Sequence, residues 1–154
     1  MQEINAILLI ILLLGFGFAG SFRVDFVNLI EDAEEVEERI EGNQRYSLQK
    51  EGREDISRTF RAITGSSEVN LTTDRGNIFV LFKDRISGNA GVNIKSRRGD
   101  ITLKFEENIS GAARVNIQSD TGDILFLNRE SEIRNFINDG KINVSTGGNI
   151  NYRP

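Results

Sequence analysis

The sequence predicts a mainly β fold: a β-solenoid of 23-residue coils preceded by a long N-terminal helix that begins in a membrane. Three observations carry this. A short pattern recurs three times at a constant spacing of 23 residues with no gap. Apolar and polar residues alternate within each copy, which is the period of a strand. A run near the N-terminus is apolar enough to enter a bilayer.

Residues 4–22 read INAILLIILLLGFGFAGSF, with only Leu and Ile from Ile7 to Leu14 and no charge between Glu3 and Arg23. At 1.5 Å per residue this run spans about 28 Å, against a hydrocarbon core of roughly 30 Å. Residues 1–22 therefore read as a transmembrane segment. The Met-Gln-Glu start lacks the basic residues of a secretory signal, which favours a retained anchor; cleavage after Ala19 is the alternative. Orientation is weakly specified, because Arg23 is the only basic residue near the run.

Phe22, Phe26, Leu29, Ala33, Val36 and Ile40 follow at steps of four and three, the spacing of an apolar helix stripe, and Gly42 offers a stop. Residues 23–42 are thus expected to be an amphipathic helix continuing the first. Its other positions are acidic: residues 31–41 carry seven Asp and Glu against Arg39. The stripe has two candidate partners, the chain's own β-domain or a neighbouring subunit. An acidic polar face argues against anionic lipid.

Residues 43–154 hold the repeat. VNLTTDRGNI (69–78), VNIKSRRGDI (92–101) and VNIQSDTGDI (115–124) align without gaps, and INVSTGGNI (142–150) is a looser fourth copy after an insertion around 128–141. Ile63-Thr64-Gly65, Ile86-Ser87-Gly88 and Ile109-Ser110-Gly111 repeat at the same interval. Identical residues at a constant interval imply identical environments stacked coil upon coil. The inward columns are then Val69/Val92/Val115, Leu71/Ile94/Ile117, Ile78/Ile101/Ile124 and Val80/Leu103/Phe126. Alternating strands alone would also allow an antiparallel meander; the gapless interval favours the solenoid.

The recurring x-x-Gly-Asp-Ile turn, as in SRRGDITLKF and SDTGDILFLN, resembles the adhesin-like β-solenoid domains of the toastrack type over about residues 57–152. That resemblance implies a β-solenoid in a surface or envelope setting, often next to a membrane segment. It implies no catalytic residues.

Composition removes much chemistry. Without Cys, His or Trp there is no disulfide framework, no Cys or His zinc site, no Ser-His-Asp triad and no Cys nucleophile. Lys95, Arg97 and Arg98 form a small basic cluster at a turn, without the aromatic interleaving of a nucleic-acid surface. Arg98-Gly99-Asp100 spells an integrin-binding tripeptide but is one copy of the repeat turn. Asp74, Asp100, Asp120 and Asp123 could bind calcium or act as paired carboxylates, yet none stands out from its repeat equivalents. Asn70, Asn93, Asn116 and Asn143 point outward and suit a hydrogen-bonded ladder. Asn70, Asn108 and Asn143 head glycosylation sequons at no more than chance frequency.

Outward positions on the second strand of each coil are uneven. Thr102 and Lys104 are polar, whereas Phe79, Leu81, Leu125 and Leu127 are apolar. Such a face requires a cover. The expected interaction surface pairs it with Phe26, Leu29, Val36 and Ile40, within one chain or between subunits. The function expected is a non-enzymatic scaffold or adhesin-like binding module, anchored through residues 4–22, extracytoplasmic and self-associating. It uses no cofactor and no nucleic acid, and its ligand is unnamed. The alternative is a pilin-like filament subunit assembled through its N-terminal helix; a carbohydrate-active enzyme is a weaker third reading.

Overall fold

A computed structural model describes residues 37–154. They form eleven strands and one helix: β1 (Glu37–Ile40), β2 (Arg45–Lys50), β3 (Ile56–Ile63), β4 (Glu68–Thr73), β5 (Ile78–Phe82), β6 (Gly91–Ser96), β7 (Ile101–Phe105), β8 (Arg114–Ser119), β9 (Ile124–Phe126), α1 (Glu130–Asn138), β10 (Ile142–Thr146) and β11 (Ile150–Tyr152). Odd strands build sheet A in the order β1-β3-β5-β7-β9-β11, and even strands build sheet B in the order β2-β4-β6-β8-β10. Every pairing is parallel, which excludes the meander. The chain alternates between the sheets and so winds a β-solenoid of about five coils.

The columns read from the repeat are the columns of the core. Val69 pairs with Val92 and Val92 with Val115, Ile78 with Ile101 and Ile101 with Ile124, all with 0% exposure. Aromatic rings stack along the same axis: Phe60 on Phe82 at 5.9 Å, Phe82 on Phe105 at 4.8 Å, and Phe126 on Tyr152 at 5.8 Å. A third, narrow side is formed by single parallel bridges Ile63–Ile86 and Ile86–Ile109.

Two expectations are corrected here. Residues 37–40 are strand, not helix: β1 pairs with β3, and Ile40 sits at 6% exposure in the core opposite Ile63. Gly42 does not stop a helix. It has φ +73°, matching Gly65 (+75°), Gly88 (+75°) and Gly111 (+65°), and is the first member of that turn column. Ile40-Glu41-Gly42 lies 23 residues before Ile63-Thr64-Gly65, so the solenoid begins by residue 37 rather than 43 and has an earlier coil than the sequence pattern indicated. The apolar run 4–22 and the residues up to Val36 lie outside the described residues; within them, no helix is long and apolar enough to cross a membrane.

A second glycine column, Gly76/Gly99/Gly122, exists for space rather than dihedral freedom. A Cβ on Gly99 would lie 1.9 Å from the Gly76 carbonyl oxygen of the preceding coil. Gly99→Ala should therefore cost about 2 kcal/mol or more, as overpacking does, although its φ is ordinary. Gly52→Ala has φ +64° but open space around it, and should cost only about 1 kcal/mol. Urea midpoints of the two variants check this; an equal loss would show that coil-to-coil contact is not the constraint at Gly99.

Ile101 lies at the centre of its column. Ile101→Ala should cost about 2–5 kcal/mol, while Lys95→Ala on the exposed side of sheet B should change stability by less than about 0.5 kcal/mol. Thermal melts of both variants test the register, and matching shifts would refute it.

Candidate binding faces

Three surfaces carry repeated chemistry. On the outer side of sheet B, Asn70, Asn93, Asn116 and Asn143 form one column and Thr72, Lys95, Gln118 and Ser145 the next. The strand period places these side chains opposite the Val and Ile columns. The amides are tied into a ladder: Asn93 Nδ2 donates to Asn70 Oδ1 at 2.9 Å, Asn116 Nδ2 to Asn93 Oδ1 at 2.9 Å, and Asn70 Nδ2 to Glu68 Oε1 at 3.1 Å. Asn70 is half-buried, and Asn108 and Asn143 are exposed. Beside the ladder a shallow groove of about 250 Å³ crosses the coils, lined by Gln49, Thr72, Asp74, Lys95, Arg97 and Asp120 among others. Arg97 Nη1 donates to Asp74 Oδ1 at 3.1 Å, so the basic cluster is partly neutralised within the groove.

The second surface is the corner between β4 and β5 and its equivalents. Here the acidic residues have a backbone role. Asp100 Oδ1 accepts from the Asp123 N–H at 2.8 Å, and Asp123 Oδ1 from the Asn149 N–H at 2.7 Å; Asp55 and Asn77 do the same in the earlier coils. Inside the corner, Ser96 Oγ donates to the Gly76 carbonyl at 3.2 Å and accepts from the Gly99 N–H at 2.9 Å. Ser119 repeats the arrangement. Arg98-Gly99-Asp100 is one of these corners, with Gly99 buried. Among the described residues, no group of three or more Asp and Glu is placed to hold a metal ion.

The third surface is the outer side of sheet A. Phe79 and Leu81 lie on β5, Thr102 and Lys104 on β7, and Leu125 and Leu127 on and just after β9. Leu81 is 2% exposed although it points away from the core, and Phe79, Leu125 and Leu127 are half-buried. Four members of the expected interaction surface thus share one face. Phe26, Leu29 and Val36 lie outside the described residues, and Ile40 belongs to the core instead. Glu37, which the sequence reading absorbed into the acidic helix, enters this face from β1. It accepts from Lys83 Nζ at 3.0 Å and pairs with Arg61. The Lys83 hydrogen bond, with Arg61 beside it, holds the Glu37 carboxyl below the ordinary glutamate value.

A carboxyl with a depressed folded-state pKa stabilises the fold fully above its unfolded value and loses that contribution as pH falls through the folded value. Glu37→Gln should accordingly be less stable than the parent at neutral pH. The gap should close at a pH below the lowered carboxyl value. Urea melts of both proteins at the two pH values measure this, and a gap independent of pH would mean that Glu37 acts through packing alone.

Comparison with protein-family models, with curated proteins and with solved structures finds no match.

Proposed function

We propose that this chain is a membrane-anchored, non-enzymatic scaffold that presents a stiff β-solenoid outside the cytoplasm as an adhesin-like binding module. One observation carries the reading: the outer side of sheet B is a polar, evenly spaced array, with Asn70, Asn93 and Asn116 locked by amide-to-amide hydrogen bonds. Parallel strands set its rungs about 4.8 Å apart. Such an array presents identical donors and acceptors along a line, which suits an extended partner with repeating polar groups, such as a polysaccharide. The neighbouring groove adds Lys95, Thr72 and Gln49 as hydrogen-bonding groups. Pre-ordered side chains lose little entropy when a ligand binds. The apolar run 4–22 supports the anchor, since its length matches a bilayer core.

Two measurements test the reading. The full chain should stay in the membrane pellet after carbonate washing and leave it when residues 1–22 are deleted; release of the full chain would refute the anchor. Pull-down on a panel of insoluble polysaccharides should retain the detergent-solubilised chain, and Asn93→Ala with Lys95→Ala should lower retention several-fold without changing the melting temperature by more than a few degrees. Retention insensitive to both substitutions would remove sheet B from the binding role. Release of soluble sugar would favour a carbohydrate-active enzyme.

A further inference from the structure

We infer that the polysaccharide taken by the outer side of sheet B is an acidic one, a polyuronate held by Lys95, Arg114 and Lys141 across the asparagine ladder. This rests on the reading of sheet B as the binding face and adds the charge of the ligand to it. Three outward columns make up that side. Two are those of Asn93 and Lys95, and the third runs Arg45, Glu68, Gly91, Arg114. Lys141 follows in the third column, just before β10, where its carbonyl accepts from the Val115 N–H at 2.9 Å. At these positions the cations Arg45, Lys95, Arg114 and Lys141 stand against a single carboxylate, Glu68. Glu68 is spent on Arg45 at 2.8 Å and on the Asn70 amide at 3.1 Å. Just past the strand ends, Asp74 accepts from Arg97 at 3.1 Å and Asp120 from the Gln118 amide at 2.9 Å. Lys95, Arg114 and Lys141 therefore keep no carboxylate partner among the described residues.

The hydrogen-bonding capacity left on this part of the face is mostly donor capacity. Arg114 Nη1 donates to the Ala113 carbonyl at 2.9 Å and Lys141 Nζ to the Gly111 carbonyl, which leaves their other N–H groups for a ligand. The Oδ1 atoms of Asn70 and Asn93 already accept from the next amide, while the Asn93 and Asn116 amides each keep a second N–H. A ligand for such a face must be rich in acceptors and negatively charged, and a carboxylate on each sugar supplies both. Arg114 and Lys141 lie about 4.8 Å apart along the coil axis, and the columns of Arg114 and Lys95 lie about 13 Å apart along the strands, with Asn93 and Asn116 between them. An extended chain crossing this span obliquely meets cations at both ends and amides in the middle. Gly91 gives it room. The φ of Gly91 is ordinary and a Cβ there would meet nothing within 4 Å, so neither the backbone nor the adjacent coils require glycine. Its place in register with Arg114, two residues from Asn93, leaves an open notch between the two. The outward columns carry no aromatic residue, so the stacking platform that a single-stranded nucleic acid uses is missing.

Binding of the full chain in detergent to soluble polygalacturonate tests the inference, with its fully methyl-esterified form and neutral dextran as comparisons. The acid should bind about ten-fold more tightly than the ester, because esterification removes the charge-assisted hydrogen bonds. Added salt should weaken binding of the acid and leave that of the ester nearly unchanged. Arg114→Gln with Lys141→Gln, and Lys95→Gln alone, should each lower affinity for the acid several-fold. Arg85→Gln, exposed on the narrow third side, should not. Gly91→Glu should keep the parent melting temperature and abolish binding of the acid, while Gly91→Gln, of the same size, should lower it less. Equal affinity for acid and ester would overturn the inference and leave sheet B as a polysaccharide face. Binding to none of the three polymers would remove the inference and that reading together. Affinity unmoved by the Lys95, Arg114 and Lys141 substitutions would overturn the inference, as would tighter binding of a single-stranded DNA oligonucleotide than of polygalacturonate.

Discussion

Everything in this fold depends on one constraint: the backbone of each coil must hydrogen-bond to the same positions of the coils on either side. Parallel in-register pairing leaves about 4.8 Å between equivalent atoms. A residue acceptable in one coil must then be acceptable directly above and below a copy of itself. Apolar columns meet this by stacking, which is why Ile78, Ile101 and Ile124 are all fully buried. Glycine meets it where backbones crowd, as at Gly99 against the Gly76 carbonyl. The 23-residue interval of the central coils is the visible trace of this requirement, because a change in coil length within a strand would shift its columns and has to be absorbed in a corner or a bulge.

Polar groups obey the same rule by bonding along the axis. A corner turns the chain from one sheet to the other and leaves backbone N–H groups without strand partners. Asn77, Asp100 and Asp123 supply an acceptor to the next coil, so a carboxylate at this corner needs no metal to explain it. Asn or Asp serves equally, since only the Oδ1 acceptor is used. Buried hydroxyls at Ser96 and Ser119 each bond one coil back and close their own turn. Leaving such a buried donor or acceptor unpaired would cost roughly 1–3 kcal/mol.

The central coils were legible in the sequence because their columns are chemically uniform, and the asparagine ladder followed from the same periodicity. The first coil was not, for a physical reason. Its strands β1 and β2 have a neighbour on one side only, so their inward positions tolerate charge: Lys50 pairs in register with Thr73 and Glu38 with Phe60, and Arg58 sits at the start of β3, before the stretch that pairs with β1. Arg58 keeps a partner there, donating from Nε to the Tyr46 hydroxyl at 2.7 Å. These charges mask the apolar signature and protect an edge strand from unwanted pairing. The acidic stretch just before them carries helical spacing, so Glu37 and Ile40 read as helix although tertiary pairing makes them strand. Of the candidate surfaces, sheet B was readable as polar. The apolar columns of sheet A were readable as well, but the part of Glu37 in that face was not.

The last coil is where the repeat breaks, and the break is compensated in detail. Phe105 would be followed in its column by residue 128, which is Asn rather than an aromatic. β9 has ended by then, and the Asn128 side chain replaces the missing strand: its Oδ1 accepts from the Phe105 N–H at 2.9 Å, and its Nδ2 donates to the Phe105 carbonyl at 2.7 Å. A primary amide has the same donor and acceptor pair as a peptide unit, so the ladder continues for one rung without backbone. α1 then takes over the narrow third side. A helix advances about 1.5 Å per residue against about 3.3 Å for a strand, so it needs more residues to cover a comparable distance. Val115 pairs with Ile142, a separation of 27 residues in place of 23, which supplies them. Within α1, Ile133 is 0% exposed and Phe136 packs on Phe105 at 6.2 Å. The helix thus delivers a buried isoleucine 24 residues after Ile109, close to the interval at which the Ile63/Ile86/Ile109 column repeats. The insertion departs from the repeat in sequence while meeting the demand the repeat imposes: each coil must fill the space above the one before it.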